Sequence, residues 1–270
     1  MNSLSGGAGD RVWTKVNGGV VSARLDDYVG RSAFYTGDID RKITWVCDRI
    51  VRKGDTVLDI GANIGIFTIG LSRLVGQEGK VYSFEPNREL VEILKETIKK
   101  NNLTNVSLQP FALGRAREDR ELFVPKGNAG AASLISPPES AIHESMKVSV
   151  NSLSDFVADE GIRSIRFMKI DVEGFELDVL EGGLRVLDDV NPDAILFECN
   201  LDESCRAGDI PVYSLLKNHD YSILAIPRCF LKVQLRELPS DEILGARGYD
   251  FLAVRQGRVF DEISRLVKVR

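Results

Sequence analysis

The 270-residue chain is poor in cysteine and histidine, and it contains no long apolar run. Its four cysteines, Cys47, Cys199, Cys205 and Cys229, form no Cys-x-x-Cys pair and no zinc-like spacing with histidine, so we expect them to be small apolar side chains. No apolar stretch approaches the length of a membrane span. Met1–Asp10 is rich in serine and glycine and lacks the basic and apolar parts of a signal peptide, which predicts a cytoplasmic protein.

An excess of basic residues is also missing. The formal net charge of −5 and the isoelectric point near 5.3 argue against a nucleic-acid partner held through its phosphates. The length fits one large α/β domain. We expect residues 1–52 to form an N-terminal cover of a hairpin and a helix, residues 53–256 to form the core, and residues 257–270 to add a tail helix.

The most informative stretch is Asp55–Gly70. An apolar run of strand length carries Asp59 near its end, a glycine turn follows at Gly61–Gly65, and a helical pattern continues to Gly76. A strand, a glycine turn and a helix together present bare backbone and helix N-terminal N–H groups to a ligand.

The residues of this turn favour a cationic nucleoside over a dinucleotide. Asn63 stands where the second glycine of a dinucleotide fingerprint belongs. The carboxylate of Asp59 suits the sulfonium and amino groups of S-adenosylmethionine, whose own carboxylate would accept from the N–H groups of the turn. A nicotinamide or flavin cofactor, or a tight turn without a ligand, are the alternatives at this point.

Further strands are predicted to end in acidic residues at the same edge of a sheet. Lys80–Pro86 carries Glu85, which we expect to bind ribose hydroxyls. Phe111 and Ala112, near the end of a strand over Asn105–Leu113, are expected to line the adenine. Strands over Ile165–Asp171 and Ala194–Glu198 complete the row. Strands that alternate with helices predict a mostly parallel sheet covered on both faces, with ligands beyond its carboxyl ends.

One segment has no period. Pro125–Met146 is rich in glycine, alanine, serine and proline, and such a run inside a compact domain is typical of a binding loop or lid. We interpret it as a substrate lid.

Three motifs, at residues 59–65, 83–86 and 169–176, resemble the FkbM family of S-adenosylmethionine-dependent methyltransferases. The resemblance implies a Rossmann-like class I methyltransferase fold with a seven-stranded sheet, and methyl transfer that is typically to a hydroxyl oxygen. It also implies that Asp171 lies near the methionine amine or the reacting centre. Phe175 stands where the family often has histidine, so a role for that histidine does not transfer. The candidate cofactor-binding residues are Asp59, Gly61, Ala62, Asn63, Gly65, Glu85, Pro86, Phe111, Ala112 and Asp171.

For catalysis, we expect Glu173 to orient or deprotonate the acceptor, with Glu198 as the second candidate and Asp171 close by. Glu173 as a helix cap is the alternative. Asp171, Glu198 and Asn200 also suggest a magnesium site, although we predict no metal. The expected acceptor is a small molecule or a glycan hydroxyl. N-methylation, a nucleoside-binding protein without activity, and an NAD-linked oxidoreductase remain as other functions.

Overall fold

The computed structural model describes residues 11–138, 143–227, 233 and 235–267. The expectations for Met1–Asp10 and Cys229 therefore lie outside the described residues. Within them, no helix has the length and apolarity needed to cross a membrane.

The described chain forms fifteen strands and eight α-helices. The strands are β1 (Arg11–Val16), β2 (Gly19–Arg24), β3 (Thr56–Ile60), β4 (Lys80–Phe84), β5 (Val106–Gln109), β6 (Ala112–Gly114), β7 (Glu118–Pro125), β8 (His143–Ser152), β9 (Phe167–Ile170), β10 (Ala194–Asn200), β11 (Cys205–Arg206), β12 (Tyr221–Ile226), β13 (Arg236–Glu237), β14 (Ile243–Leu244) and β15 (Gly248–Arg255). The helices are α1 (Tyr28–Thr36), α2 (Arg41–Ile50), α3 (Ile66–Val75), α4 (Arg88–Lys100), α5 (Leu153–Asp159), α6 (Glu176–Glu181), α7 (Pro211–Asn218) and α8 (Arg258–Val267).

The central sheet has the strand order β13-β12-β15-β10-β9-β3-β4-β5. The neighbours from β10 to β5 are parallel, and β15 runs antiparallel to both β10 and β12. The predicted doubly wound, mostly parallel sheet is confirmed. Its described strands number eight rather than seven, because the two-residue β13 adds an edge to β12.

Alternation along the strands sends apolar side chains to both faces of this sheet. Leu58 and Ile60 pack with α5, α6 and α7, whereas Val57 packs with α2 and α8. Both faces are therefore covered, which is why the inner strands are almost continuously apolar.

The predicted N-terminal hairpin is confirmed as β1 and β2, with Asn17 and Gly18 at positive φ in the turn. Two helices follow the hairpin, where the sequence predicted one. Helix α1 begins after the N-cap Asp27, and α2 begins after the N-cap Asp40. The hairpin and α1 share an apolar cluster with α3 and α4, so this cover is packed onto the core.

Two other predictions need correction. The third strand breaks at Pro110, which has no N–H for the ladder; β5 stays in the central sheet, and Ala112 starts β6, which pairs with β8. The predicted loop Pro125–Met146 ends earlier than expected, because His143 already begins β8. The segment over residues 139–142 lies outside the described residues.

Arg166 ties the C-terminal helix to the bottom of the sheet. Its guanidinium donates to the Ile50 carbonyl (3.0 Å), to Asp193 (3.0 Å) and to Glu262 of α8 (2.6 Å), and its side chain is only 9% exposed. A buried cation with three partners links α2, α8 and the strand connection before β10.

We expect Arg166→Met to lower the free energy of unfolding by about 2–4 kcal/mol, because it leaves the buried Ile50 carbonyl without this donor and removes an ion-pair partner from Asp193 and Glu262. Arg185→Met is the matched control, since Arg185 pairs with Asp155 at the exposed surface and should cost less than about 1 kcal/mol. Urea unfolding measures both. Equal losses in the two variants would contradict the role of Arg166.

Candidate functional site

A cleft opens where β3, β4 and β9 end. The space between its walls, including the open part at its mouth, is about 560 Å³. Seven of the predicted cofactor residues line it: Gly61, Asn63, Glu85, Pro86, Phe111, Ala112 and Asp171. The cleft therefore lies where the parallel sheet was expected to bind its ligand.

The glycine turn forms one side of this cleft. Gly61 has a φ of +82°, and a Cβ atom there would lie 1.9 Å from the Asp171 carbonyl oxygen. Asn63 also has a positive φ, of +52°, which asparagine tolerates better than most residues. Only glycine fits at position 61, because the turn presses against the backbone that follows β9.

The structure corrects the expectation that the N–H groups of this turn would bind a ligand carboxylate. Gly61 and Ala62 both donate to the Phe84 carbonyl, and Asn63 donates to Glu85. Ile64 N–H bonds to the Asn63 side chain, and Gly65 N–H bonds to the Ala62 carbonyl. All five donors are engaged within the protein.

Glu85 connects the turn to the second strand. Its carboxylate accepts from Asn63 N–H (2.8 Å) and from Asn87 N–H (2.9 Å), and the side chain is 5% exposed. Burial raises the pKa of Glu85 to about 7 despite these two bonds. The two bonds hold this carboxylate at the cleft wall.

The opposite wall is apolar and aromatic. Phe111 meets Phe84 edge-to-face, with ring centroids 5.8 Å apart, and Phe84 meets Phe156 at 4.8 Å. Ala112 and Leu113 extend this surface. This side of the cleft is therefore apolar, whereas Glu85 and Asp171 supply acidic groups elsewhere in its lining.

Three predicted cofactor residues do not line the cleft. Asp59 is fully buried behind it, and Ala62 and Gly65 serve the turn and the start of α3. Several lining residues were not predicted: Leu122, Ala129, Gly130, Ala132, Leu134, Val172 and Phe175. Four of these belong to the aperiodic segment. Its small residues and lack of period were the only sequence features that could indicate their place at the cleft.

Asp171 lies at the floor of the cleft, and the buried Lys169 contacts its carboxylate from the side of the sheet. Its Oδ2 is 2.9 Å from Lys169 Nζ, and that ammonium is 3.8 Å from Asp59 Oδ1. Burial alone would lower the pKa of Lys169, but the two carboxylates outweigh burial and raise it. Lys169 thus stays charged between two acids.

The two candidate bases, Glu173 and Glu198, lie beside Asp171 but do not line this cleft within the described chain. Burial first, then Asp171 and Glu176, raises the pKa of Glu173 to about 7. Burial, then Asp171 and Asp250, does the same for Glu198. Glu173 and Glu198 are therefore both close enough to Asp171 for its charge to raise their pKa values.

Comparison with known proteins identifies the family of this chain. The family model described as the methyltransferase FkbM domain matches residues 59–223, which contain all of the strand ends at the cleft. The chain belongs to the FkbM methyltransferase family.

Relatives of this FkbM family member share only parts of their length with it. "Methyltransferase 1" of Beauveria bassiana is 30% identical over 160 residues, 52% of this chain and 61% of that protein. The tRNA (adenine(58)-N(1))-methyltransferase catalytic subunit TRM61 of Yarrowia lipolytica is 41% identical over 56 residues, 21% of this chain and 14% of that protein. Among solved structures, M. jannaschii TYW2 in complex with AdoMet matches with a TM-score of 0.47 and 13% identity, covering 94% of this chain and 90% of that chain.

Residues 129–134, in the described part of the aperiodic segment of this FkbM family member, lie along one side of the cleft. Ala129 N–H donates to Asp27, the N-cap of α1, at 2.7 Å. Ser133 Oγ donates to the Glu173 carbonyl at 2.8 Å. The segment thus bridges the N-terminal cover and the loop after β9, and Leu134 reaches the cleft.

The sequence also suggested a magnesium site among the acids at this edge. Across residues 11–138 and the rest of the described chain, histidine, cysteine, aspartate and glutamate form no group of three placed to hold an ion.

We expect Gly61→Ala to destabilise the protein by more than about 3 kcal/mol, since it adds a backbone clash to the strain of a positive φ. Gly161→Ala is the control: Gly161 has a φ of +65° and open space around its Cβ position, so it should cost only about 1 kcal/mol. Thermal or urea unfolding separates the two. Similar losses would show that the contact with Asp171 is unimportant.

Proposed function

We propose that this chain is an S-adenosylmethionine-dependent methyltransferase that methylates a hydroxyl on a small molecule or a glycan. The observation that carries the proposal is the placement of Glu85 and Asp171 on either side of the Gly61 turn, in one cleft with the apolar wall at Phe111. Membership of the FkbM family supports it.

The residues of the cleft fit this nucleoside. Glu85 would accept from the ribose hydroxyls, Phe111 and Ala112 would contact the adenine, and Asp171 would face the positive end of the ligand. An anionic floor favours a cation, and it disfavours a polyphosphate. This fit does not depend on the N–H groups of the turn, which are engaged elsewhere.

When bound, S-adenosylmethionine supplies an electrophilic methyl group. The protein's own task is to align the acceptor oxygen, to exclude water and to receive a proton. A group with a pKa near the working pH is the most effective proton acceptor. Glu173 and Glu198, each with a pKa raised to about 7, have this property.

Glu173 is the better candidate for the base. Its alternative role as a helix cap finds little support, because Glu176 accepts from Val172 N–H and Gly174 N–H, both at 3.2 Å. Glu173 itself adopts a φ of +52°, a backbone conformation that is rare for a non-glycine residue and is often associated with function. The Glu173 carboxyl is therefore available to act as the base.

The acidic net charge supports an acceptor other than nucleic acid. A cytoplasmic location is a further part of the proposal. We keep the division into a cover (1–52), a core (53–256) and a tail helix (257–270) as part of the proposal. N-methylation and nucleoside binding without turnover are the alternatives that the acceptor assay below addresses.

We expect the protein to bind S-adenosylmethionine and S-adenosylhomocysteine in calorimetry but not NAD. Glu85→Gln should weaken both by about 10–100-fold, because a charge-assisted bond to ribose contributes about 1.5–3 kcal/mol. Glu89→Gln, on the exposed side of the following helix, is the control and should bind normally. The proposal fails if NAD binds and S-adenosylmethionine does not bind at about 1 mM.

We expect Glu173→Gln to lower kcat by about 100–10,000-fold at saturating substrates, because general-base catalysis typically contributes that much. The assay follows S-adenosylhomocysteine release with a panel of phenols, sugars and primary amines. Glu203→Gln, in an exposed loop, is the control. An unchanged kcat would remove Glu173 as the base, and turnover with amines alone would favour N-methylation.

A further inference from the structure

A continuous chain of polar side chains runs under α3 to the cleft. Its members are Ser83, Thr68, Asp59, Lys169 and Asp171. The first four are at most 3% exposed, whereas the Asp171 side chain is 37% exposed. The chain thus begins in the core and ends at the open floor of the cleft.

The contacts along this chain are specific. Thr68 Oγ1 donates to Asp59 Oδ2 at 2.6 Å and lies 3.1 Å from Ser83 Oγ. Lys169 Nζ lies 2.9 Å from Asp171 Oδ2 and 3.8 Å from Asp59 Oδ1. Asp59 Oδ1 has no hydrogen-bond partner among the described atoms, so the ammonium is its main electrostatic partner.

Asp59 is badly placed to bind a ligand itself. It is 0% exposed and is absent from the cleft wall. The register of β3 against β9 sets it directly opposite Lys169, on the face covered by α3. Burial raises the pKa of Asp59, while Lys169 and the Thr68 hydroxyl oppose that shift by favouring the carboxylate.

A buried ammonium needs a compensating anion, because an unpaired charge in the interior is very unfavourable. If Asp171 were the only partner of Lys169, the pair would be neutral and the attraction of the cleft floor for a cation would be weaker. With Asp59 included, two carboxylates surround one ammonium, and one negative charge remains. Of the two carboxylates, only Asp171 lines the cleft, so Asp171 presents this negative charge to a ligand.

We infer that Lys169 and Asp59 are positioning residues: Lys169 fixes the Asp171 carboxylate at the cleft, and Asp59 is its buried counter-ion and not a cofactor ligand. The ligand group that Asp171 receives is a cation, the ammonium or sulfonium of S-adenosylmethionine, so this inference rests on the proposed function. Thr68 and Ser83 hold Asp59 in place.

A double-mutant cycle of Lys169→Met and Asp59→Asn tests this inference. If Asp59 is the counter-ion of Lys169, adding Asp59→Asn to Lys169→Met should raise the urea midpoint; if Asp59 has no such role, it should not. Lys169→Met leaves two carboxylates without their cation, which should lower the urea midpoint of the ligand-free protein. Adding Asp59→Asn removes the uncompensated buried charge, so the double variant should unfold at a higher urea concentration than Lys169→Met. The control cycle is Lys147→Met with Asp119→Asn, an exposed pair that should show almost no coupling.

Calorimetry with S-adenosylmethionine gives the second readout. We expect Lys169→Met to bind about 10-fold more weakly or worse, the double variant to regain about 3-fold or more, and Asp59→Asn alone to lose no more than about 5-fold. Lys169→Arg keeps the charge and should retain more affinity than Lys169→Met. If Lys169→Met does not fold, Asp59→Asn and Lys169→Arg still decide the matter.

Two results would overturn the inference. One is a loss of more than about 30-fold in Asp59→Asn with an unchanged urea midpoint, which would make Asp59 a direct ligand. The other is a double variant less stable than Lys169→Met. If the unaltered protein does not bind S-adenosylmethionine, the proposed function fails, but the unfolding cycle still tests the ion chain by itself.

Discussion

The register between β3 and β9 is the constraint on which the rest of the site depends. It pairs Asp59 with Lys169 across the two strands, so the turn after β3 and the loop after β9 leave the sheet side by side. Gly61 is then pressed against the Asp171 carbonyl, where no side chain fits. A slip of one residue would move Lys169 to the opposite face of the sheet, away from Asp59. One strand pairing therefore fixes both the backbone approach and the buried ions.

Several carboxyl groups lie at this edge of the sheet, and burial disfavours their ionised form. Glu85, Glu173 and Glu198 each have a pKa raised to about 7. Since these folded-state values exceed the unfolded ones, the ligand-free protein loses stability as the pH rises from about 4.5 through 7. A cation bound among these groups offsets that loss. The pH dependence of stability and the proposed preference for a positively charged ligand thus have one electrostatic cause.

Much of this fold follows from local sequence, because the signals are local. Apolar runs predict the inner strands, and Asn17 with Gly18 predicts the hairpin. The remaining features depend on distant pairing. Pro110 predicts a break in its strand, but only the contact with β8 decides that Ala112 joins another sheet. The partners of several glycine-turn donors could not be assigned either, because Gly61 and Ala62 donate to Phe84 of a different strand and Asn63 donates to Glu85 just after it.

The roles of the acids depend on a still finer detail, the residue at which each strand ends. Glu85 and Asp171 directly follow the last residues of β4 and β9, where the backbone leaves the sheet and the side chain reaches the cleft. Asp59 comes one residue before the end of β3, so α3 still covers it. Strand boundaries are the least certain part of a sequence-based prediction. A two-residue difference relative to the strand end therefore separates an acid that lines the cleft from one that is linked to it only through Lys169.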